Sequence, residues 1–438
     1  MAKTKLFLIL LAVAFPTTIF ASTPTECGAV EMPYQVDGTH TFQFLGYSVD
    51  GVGDVNGDGK ADFIVGAPGG WIGAWPGRAY VYSGTDGSLL FQLTGSSDNM
   101  GYSVAGAGDV NGDGKPDFIC GAPYGRTAYV FSGADGSLLH RVTGPDWLGT
   151  SVAGGKDVNG DGRADFIVGA PGGNPPGPEP GYVLVYSGAD GALLYRIDGS
   201  NSGDQMGHSV ALLGDLNSDG KSEFGIGARW TDLNGFTQVG SVYVYSGADG
   251  SLMYRKDGSA EFDIFGWSLA NAGDVNVDGK PDFAVGALQA DPDGLSGAGS
   301  VFVYSGADGS LLRRLDGFAS GEHLGFSVSG AGDINGDGFA DIITGTPDAT
   351  SLRYTGAAYV FSGRDGSLLY QMTGSEVAEN VGFSVAGLGD ADGDGKGDFV
   401  VGTPAPPHSP TLYNAGWVRV FKSGSLFGDI NVDGIFTA

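Results

Sequence analysis

DVNGDGKADFIVG, from Asp54 to Gly66, decides the fold, because versions of it begin again at Asp109, Asp157, Asp215, Asp274, Asp333 and Asp390. In each copy, oxygen-bearing side chains stand at positions 1, 3, 5 and 9, glycine holds position 6, and an apolar run follows at once. Four side chains so spaced, with the carbonyl of position 7, can converge on one hard cation, and the glycine permits the bend that aims them. The apolar run reads as a β-strand covered on both faces. Each copy is therefore a cation loop feeding a strand, and the recurrence marks a repeat protein.

The loops define the candidate ligands, and calcium suits them because it accepts six to eight oxygens in flexible geometry. The first loop offers Asp54, Asn56, Asp58 and Asp62 with the carbonyl of Lys60. The second offers Asp109, Asn111, Asp113, Asp117 and Lys115; the third Asp157, Asn159, Asp161, Asp165 and Arg163. The fourth offers Asp215, Asn217, Asp219, Glu223 and Lys221; the fifth Asp274, Asn276, Asp278, Asp282 and Lys280. The sixth offers Asp333, Asn335, Asp337, Asp341 and Phe339; the seventh Asp390, Asp392, Asp394, Asp398 and Lys396. Up to seven calcium ions are expected. An EF-hand is excluded, since it needs a bidentate Glu at position 12 and flanking helices, and position 12 here is Val65, Cys120, Val168, Ile226, Val285, Thr344 or Val401.

Around each loop the chain reads as four strands. A small-residue run such as YSVAGAG at Tyr102 precedes the loop, and its Gly, Ala and Ser suit a crowded position. The continuous apolar run follows. An alternating segment such as AYVYSG at Ala79 comes third, and LLFQLTG at Leu89 closes the unit after an Asp-Gly turn, SGTDGS. That turn lacks the spaced oxygen ladder, so it is read as a turn and not as a second cation site. The first three elements occur seven times, but only six fourth strands follow them. The missing one is MPYQVDG, Met32 to Gly38, which matches LLYRIDG at Leu193. An all-β, seven-bladed β-propeller of four-stranded antiparallel blades, closed by the N-terminal strand, satisfies the count and leaves no edge between the first and last units.

The chain opens with MAKTKLFLILLAVAFPTTIFAS, in which Lys3 and Lys5 precede an apolar core that Pro16 cuts short. Residues 1–21 read as a secretory signal peptide rather than a membrane anchor, which places the mature chain outside the cell or at its surface. A leader is expected over 22–31, the propeller over 32–424 and a short tail over 425–438. In the tail Asp429, Asn431 and Asp433 begin an incomplete calcium ladder that resembles a dockerin half-repeat. The formal charge of -28 makes nucleic acid an improbable partner, and stable membrane insertion is not expected. Of the two cysteines, Cys120 takes a slot filled by Val65 and Val168 in sister repeats, so it reads as a small buried apolar residue; Cys27 precedes the repeats.

Taken together, Gly-aromatic pairs (Gly46-Tyr47, Gly101-Tyr102, Gly266-Trp267), DxNxDGxxD, and Gly-Ala-Pro (Gly66-Ala67-Pro68, Gly121-Ala122-Pro123) resemble the FG-GAP repeat of integrin α-subunit propellers. The resemblance implies calcium on one face and ligand contacts mainly on the opposite face. The chain departs from that pattern in carrying seven calcium loops, in Glu223 at position 9, in Val277 where most loops have Gly, and in lacking Pro after Gly227-Ala228 and Gly286-Ala287. On the face opposite the loops, the connections between second and third strands vary and carry Trp71, Trp75, Tyr124, Trp230, Tyr354 and Tyr413, residues suited to protein or sugar recognition. The expected function is a monomeric, non-enzymatic extracellular interaction or adhesion module that recognises a protein or carbohydrate. The alternative is a polysaccharide- or lipid-acting hydrolase or lyase working through loop residues such as His323 and His408.

Overall fold

The runs after the loops are rich in Val, Ile and Phe, and they form strands buried at every residue, among them Asp62–Ala67, Asp117–Ala122 and Asp165–Ala170. The structure, a computed structural model, describes residues 29–69, 77–95, 99–172, 179–347, 355–374, 379–404, 414–424, 429–431 and 436–437. In the first blade Ser48–Gly53, Asp62–Ala67, Arg78–Tyr82 and Leu89–Thr94 pair in sequence order, all antiparallel. The same order recurs in every sheet, so the fold is an all-β propeller of seven blades. The small-residue strands are innermost. They surround a channel of about 380 Å³ lined by Asp50, Ala105, Gly154, Ala211, Asn271 and Ser329.

The seventh sheet runs Ser384–Gly389, Asp398–Thr403, Trp417–Gly424 and then Ala29–Asp37, so the beginning of the described chain supplies its outer strand. Tyr34 lies opposite Val420 and Asp37 opposite Trp417. The strand starts at Ala29, three residues before the repeat alignment places it, because pairing continues to Gly424 beyond the segment that resembles its sisters. Blade six departs from four strands. Asp429–Asn431 adds parallel to its outer strand Leu368–Thr373, and Phe436–Thr437 pairs with that addition.

Two motif residues join neighbouring blades. The serine after each Gly-aromatic pair, or after the equivalent residue, donates its hydroxyl to the carbonyl of the corresponding glycine in the next blade: Ser48 to Gly101, Ser103 to Gly149, Ser151 to Gly207, Ser209 to Gly266, Ser268 to Gly325 and Ser327 to Gly382. Ser384 to Gly46, at 2.8 Å, completes the circle. The glycine of Gly-Ala-Pro packs on that same carbonyl, so that a Cβ on Gly66 would stand 2.1 Å from the Gly101 oxygen. Blades so close bury their faces against each other. The core is a set of seams, as where Ile64 and Ala79 of blade one meet Phe118 and Cys120 of blade two.

Candidate metal centres

Every loop folds around its first aspartate. The Asp54 carboxylate accepts from the N–H groups of Gly57 (2.6 Å), Asp58 (3.0 Å) and Gly59 (2.8 Å). Asn56 Oδ1 accepts from Asp58 N–H at 2.8 Å, and Asp58 Oδ1 from Lys60 N–H at 3.0 Å. These bonds wind the backbone so that positions 1, 3 and 5 turn inward as a ladder of oxygens. The bond from position 6 to the first aspartate recurs in all seven loops at 2.7 to 2.9 Å. The bond from position 4 recurs in five, and is missing where Ser218 and Val277 replace glycine with φ of 66° and 60°.

The ninth position closes the loop from beneath. Asp62 is fully buried, accepts from Val55 N–H at 2.9 Å, and accepts from Gly84 N–H at 3.1 Å. Gly84 belongs to the turn between the third and outer strands. The sequence shows that turn only as a turn, yet in five blades its backbone N–H reaches the ninth carboxylate, from Gly84, Gly133, Gly188, Gly306 and Gly363, and in blade seven Ser423, within the third strand itself, does the same. Glu223 is the variant. Its longer side chain accepts from Leu216 N–H and draws the Asn217 amide to itself at 2.9 Å, whereas the Asn56 amide bonds Asp58.

Burial pushes the ninth acid up in every loop, to about 6 for Asp165 and Asp282 and about 7 for Glu223, Asp341 and Asp398, with Asp62 and Asp117 raised in the same direction. Among the described residues the ion pairs are Arg196 with Asp198, Arg255 with Asp257 and Arg314 with Asp316, so no basic side chain pairs with a ninth acid. In the seventh loop, where aspartate replaces asparagine at position 3, oxygens of Asp390, Asp392 and Asp398 all lie within 4.8 Å of one another. A divalent cation is the group such a donor set fits, since it would supply the missing counter-charge and accept the converging oxygens.

Models of two related repeats match the chain: the FG-GAP repeat over residues 148–186, 265–304 and 324–361, and the FG-GAP-like repeat over 54–120. FG-GAP repeats recur along this chain. The FG-GAP propeller is 32% identical to integrin alpha-5 of Xenopus laevis over 192 residues, 40% of this chain and 18% of that protein. It is 36% identical to integrin alpha-E of Mus musculus over 174 residues, 36% of this chain and 15% of that protein. The matches thus span less than a fifth of the length of the curated relatives. A solved structure described as BBS1N in complex with ARL6DN, soaked with lead, shares the fold at TM-score 0.54 and 12% identity, covering 90% of this chain and 97% of that one.

In this FG-GAP propeller the loops are also bonded to each other. The N–H of position 8 donates to the carbonyl of position 1 in the preceding blade: Ala61 to Asp390, Ala164 to Asp109, Ser222 to Asp157, Ala340 to Asp274 and Gly397 to Asp333. The two remaining junctions carry Pro116 and Pro281 at position 8, and proline has no N–H to give. By backbone bonds the loops therefore form two arcs, blades two to four and blades five, six, seven and one, with Lys115 Nζ donating to the Val55 carbonyl at 3.0 Å across the first gap.

The opposite face carries a ring of side chains that follow the glycine of each innermost strand. Neighbouring rings touch at 4.9 to 5.4 Å, through Tyr47–Tyr102, Tyr47–Phe383, Phe326–Phe383, Trp267–Phe326 and His208–Trp267. Of the aromatic residues expected to meet a partner, Tyr124 is exposed and packs on Trp147, and Trp230 lies half-buried beside Arg229. Trp71, Trp75, Tyr354 and Tyr413 lie outside the described residues, as does His408. His323 sits in a loop at φ 62°.

Proposed function

We propose that this propeller is a secreted, calcium-stabilised interaction module that holds up to seven calcium ions on one face and recognises an extracellular protein or carbohydrate on the other. One observation carries the metal reading: in every blade a fully buried carboxylate, short of counter-charge, underlies a ladder of inward oxygens. Calcium would neutralise the charge that this ladder concentrates. The residues would act as fasteners, because the ninth carboxylate already ties the loop to the turn of the third strand, and a cation held above it would fix positions 1, 3 and 5 to the same point. The chain's likeness to integrin α-subunits supports an adhesion or interaction role over hydrolysis. The reading includes a signal peptide over 1–21, a leader over 22–31, the propeller over 32–424 and the tail over 425–438.

At a dissociation constant of ~0.1 mM and calcium of ~1 mM, each site would contribute roughly 1.4 kcal/mol to stability. Calorimetric titration of metal-free protein is expected to show uptake approaching seven ions, with a rise in Tm that a chelator reverses. No uptake and an unchanged Tm would refute the metal reading. A glycan array and a pull-down from extracellular material, each with and without calcium, test the recognition reading.

A further inference from the structure

The ring on the upper face breaks at Thr150, the one position without a ring, and the break opens a cup of about 450 Å³ beside it. At its wall stands Arg229. Its guanidinium lies 4.7 Å from the Trp230 ring and 4.5 Å from the Trp267 ring, and its Nε donates to Gln205 Oε1 at 2.7 Å. No carboxylate pairs with it among the described residues, and burial pulls its pKa down to about 10. An unpaired guanidinium in so sheltered a place is costly, and doubly unexpected in a chain of formal charge -28. His208 adds no second cation, since burial first, and then Arg229, hold its pKa well below the usual value, while Nδ1 lies 3.1 Å from the Trp267 carbonyl.

We propose that this cup binds a terminal hexuronic acid, its carboxylate on the Arg229 guanidinium and its pyranose ring against Tyr102 and Trp147. The proposal rests on the upper-face recognition reading and specifies its ligand class. A planar carboxylate matches the two outer nitrogens of the guanidinium fork, which the Gln205 bond leaves unused. A single negative charge answers a single cation, whereas the net charge of the chain opposes a polyanion. Aromatic walls suit the apolar face of a sugar ring. The Gln205 amide nitrogen, with no hydrogen-bond partner among the described residues, and Thr150 Oγ1, which donates to the Trp147 carbonyl at 2.7 Å and retains its lone pairs, are placed to meet hydroxyls. The cup is of a size that holds a small molecule.

Trp230 and Trp267 make the site self-reporting, so the full chain in calcium can be titrated by tryptophan fluorescence and calorimetry with D-glucuronate, glucose, acetate and a short glutamate-rich peptide. Saturable glucuronate binding, at least tenfold tighter than glucose and acetate, is expected, with at least a tenfold loss in Arg229→Gln and a smaller loss in Arg229→Lys. Equal binding of glucose overturns the carboxylate pairing, equal binding of acetate overturns the sugar component, and tighter binding of the peptide overturns both in favour of a protein ligand. Absence of all binding overturns the proposal. Should Arg229→Gln fail to fold, the comparison of glucuronate with glucose on the parent chain decides. Capture of an extracellular partner that persists in a folded Arg229→Gln, with glucuronate silent, would defeat this proposal and leave the upper-face reading intact.

Discussion

Val277 holds a backbone φ of 60° and is 55% exposed as a residue, in the slot where five sister loops place glycine. A β-branched residue in the left-handed region costs about 1–2 kcal/mol, and little burial offsets it here. Val277→Gly is expected to stabilise the protein by ~1 kcal/mol after the entropy of the added glycine is subtracted, and to restore the bond from position 4 to Asp274; thermal unfolding checks it. Asp50 tests a different residue-scale effect. Burial against the channel wall raises its pKa from 3.8 to about 6, while the Gly106 and Gly51 N–H groups pull the other way. The folded protein keeps this proton to higher pH than the unfolded chain does, so the stability it contributes is complete below about pH 4 and is lost as pH rises through about 6. Asp50→Asn keeps an acceptor for Gly106 N–H and should gain ~1–2 kcal/mol at pH 7.5, allowing for water in the channel, and nothing near pH 3.5, as read by urea unfolding at each pH. The ladder of side-chain oxygens was legible in the sequence because those oxygens carry names. The N–H of Gly84 that grips Asp62 was not, because a backbone donor looks the same in every residue. Arg229 was hidden for another reason: it stands in a connection that does not repeat, so no sister position marked it.

At the scale of the element, each blade is a plain antiparallel meander, and what distinguishes one from another is how its loop meets the next. Proline at 116 and 281 interrupts the chain of backbone bonds between loops, and only the Lys115 side chain spans the first gap, so a disturbance should spread mainly within an arc. Asp157→Ala, which keeps the backbone carbonyl but removes a first-position carboxylate in blade three, is expected to speed amide hydrogen exchange about tenfold in the loops of blades two to four. Exchange in the loops of blades five, six and seven should be unchanged, as mass spectrometry can show; tenfold corresponds to about 1.4 kcal/mol, the scale of a hydrogen bond or two. The four-strand unit and the count of blades followed from the repeat itself, since alternation and turn residues recur with it. The added strands on blade six did not, because Asp429–Asn431 pairs through backbone at an edge that no side-chain pattern marks.

For the whole molecule, closure is the controlling fact. Ala29–Asp37 completes blade seven, and Tyr34 donates its hydroxyl to the Ser83 and Gly84 carbonyls of blade one at 3.0 and 2.9 Å, so one strand joins both ends of the circle. A chain starting at Thr39 would leave the Trp417–Gly424 edge bare, and it is expected to self-associate on size-exclusion chromatography; the peptide spanning 29–38, added in excess, should return it to a monomer. The deficit of one outer strand already pointed to this arrangement in the sequence, since an odd count in a ring has only one remedy.

Closure also sets a timetable. Tyr34 and Val420 are 386 positions apart, so at a synthesis rate of about 5–20 residues per second the strand bearing Tyr34 waits roughly 20 to 80 s for its partner. Throughout that interval its hydrogen-bonding edge is available to any other nascent copy nearby. The circle therefore leaves the growing propeller most open to crossed pairing just before Trp417–Gly424 emerges, and a single late docking then removes that risk.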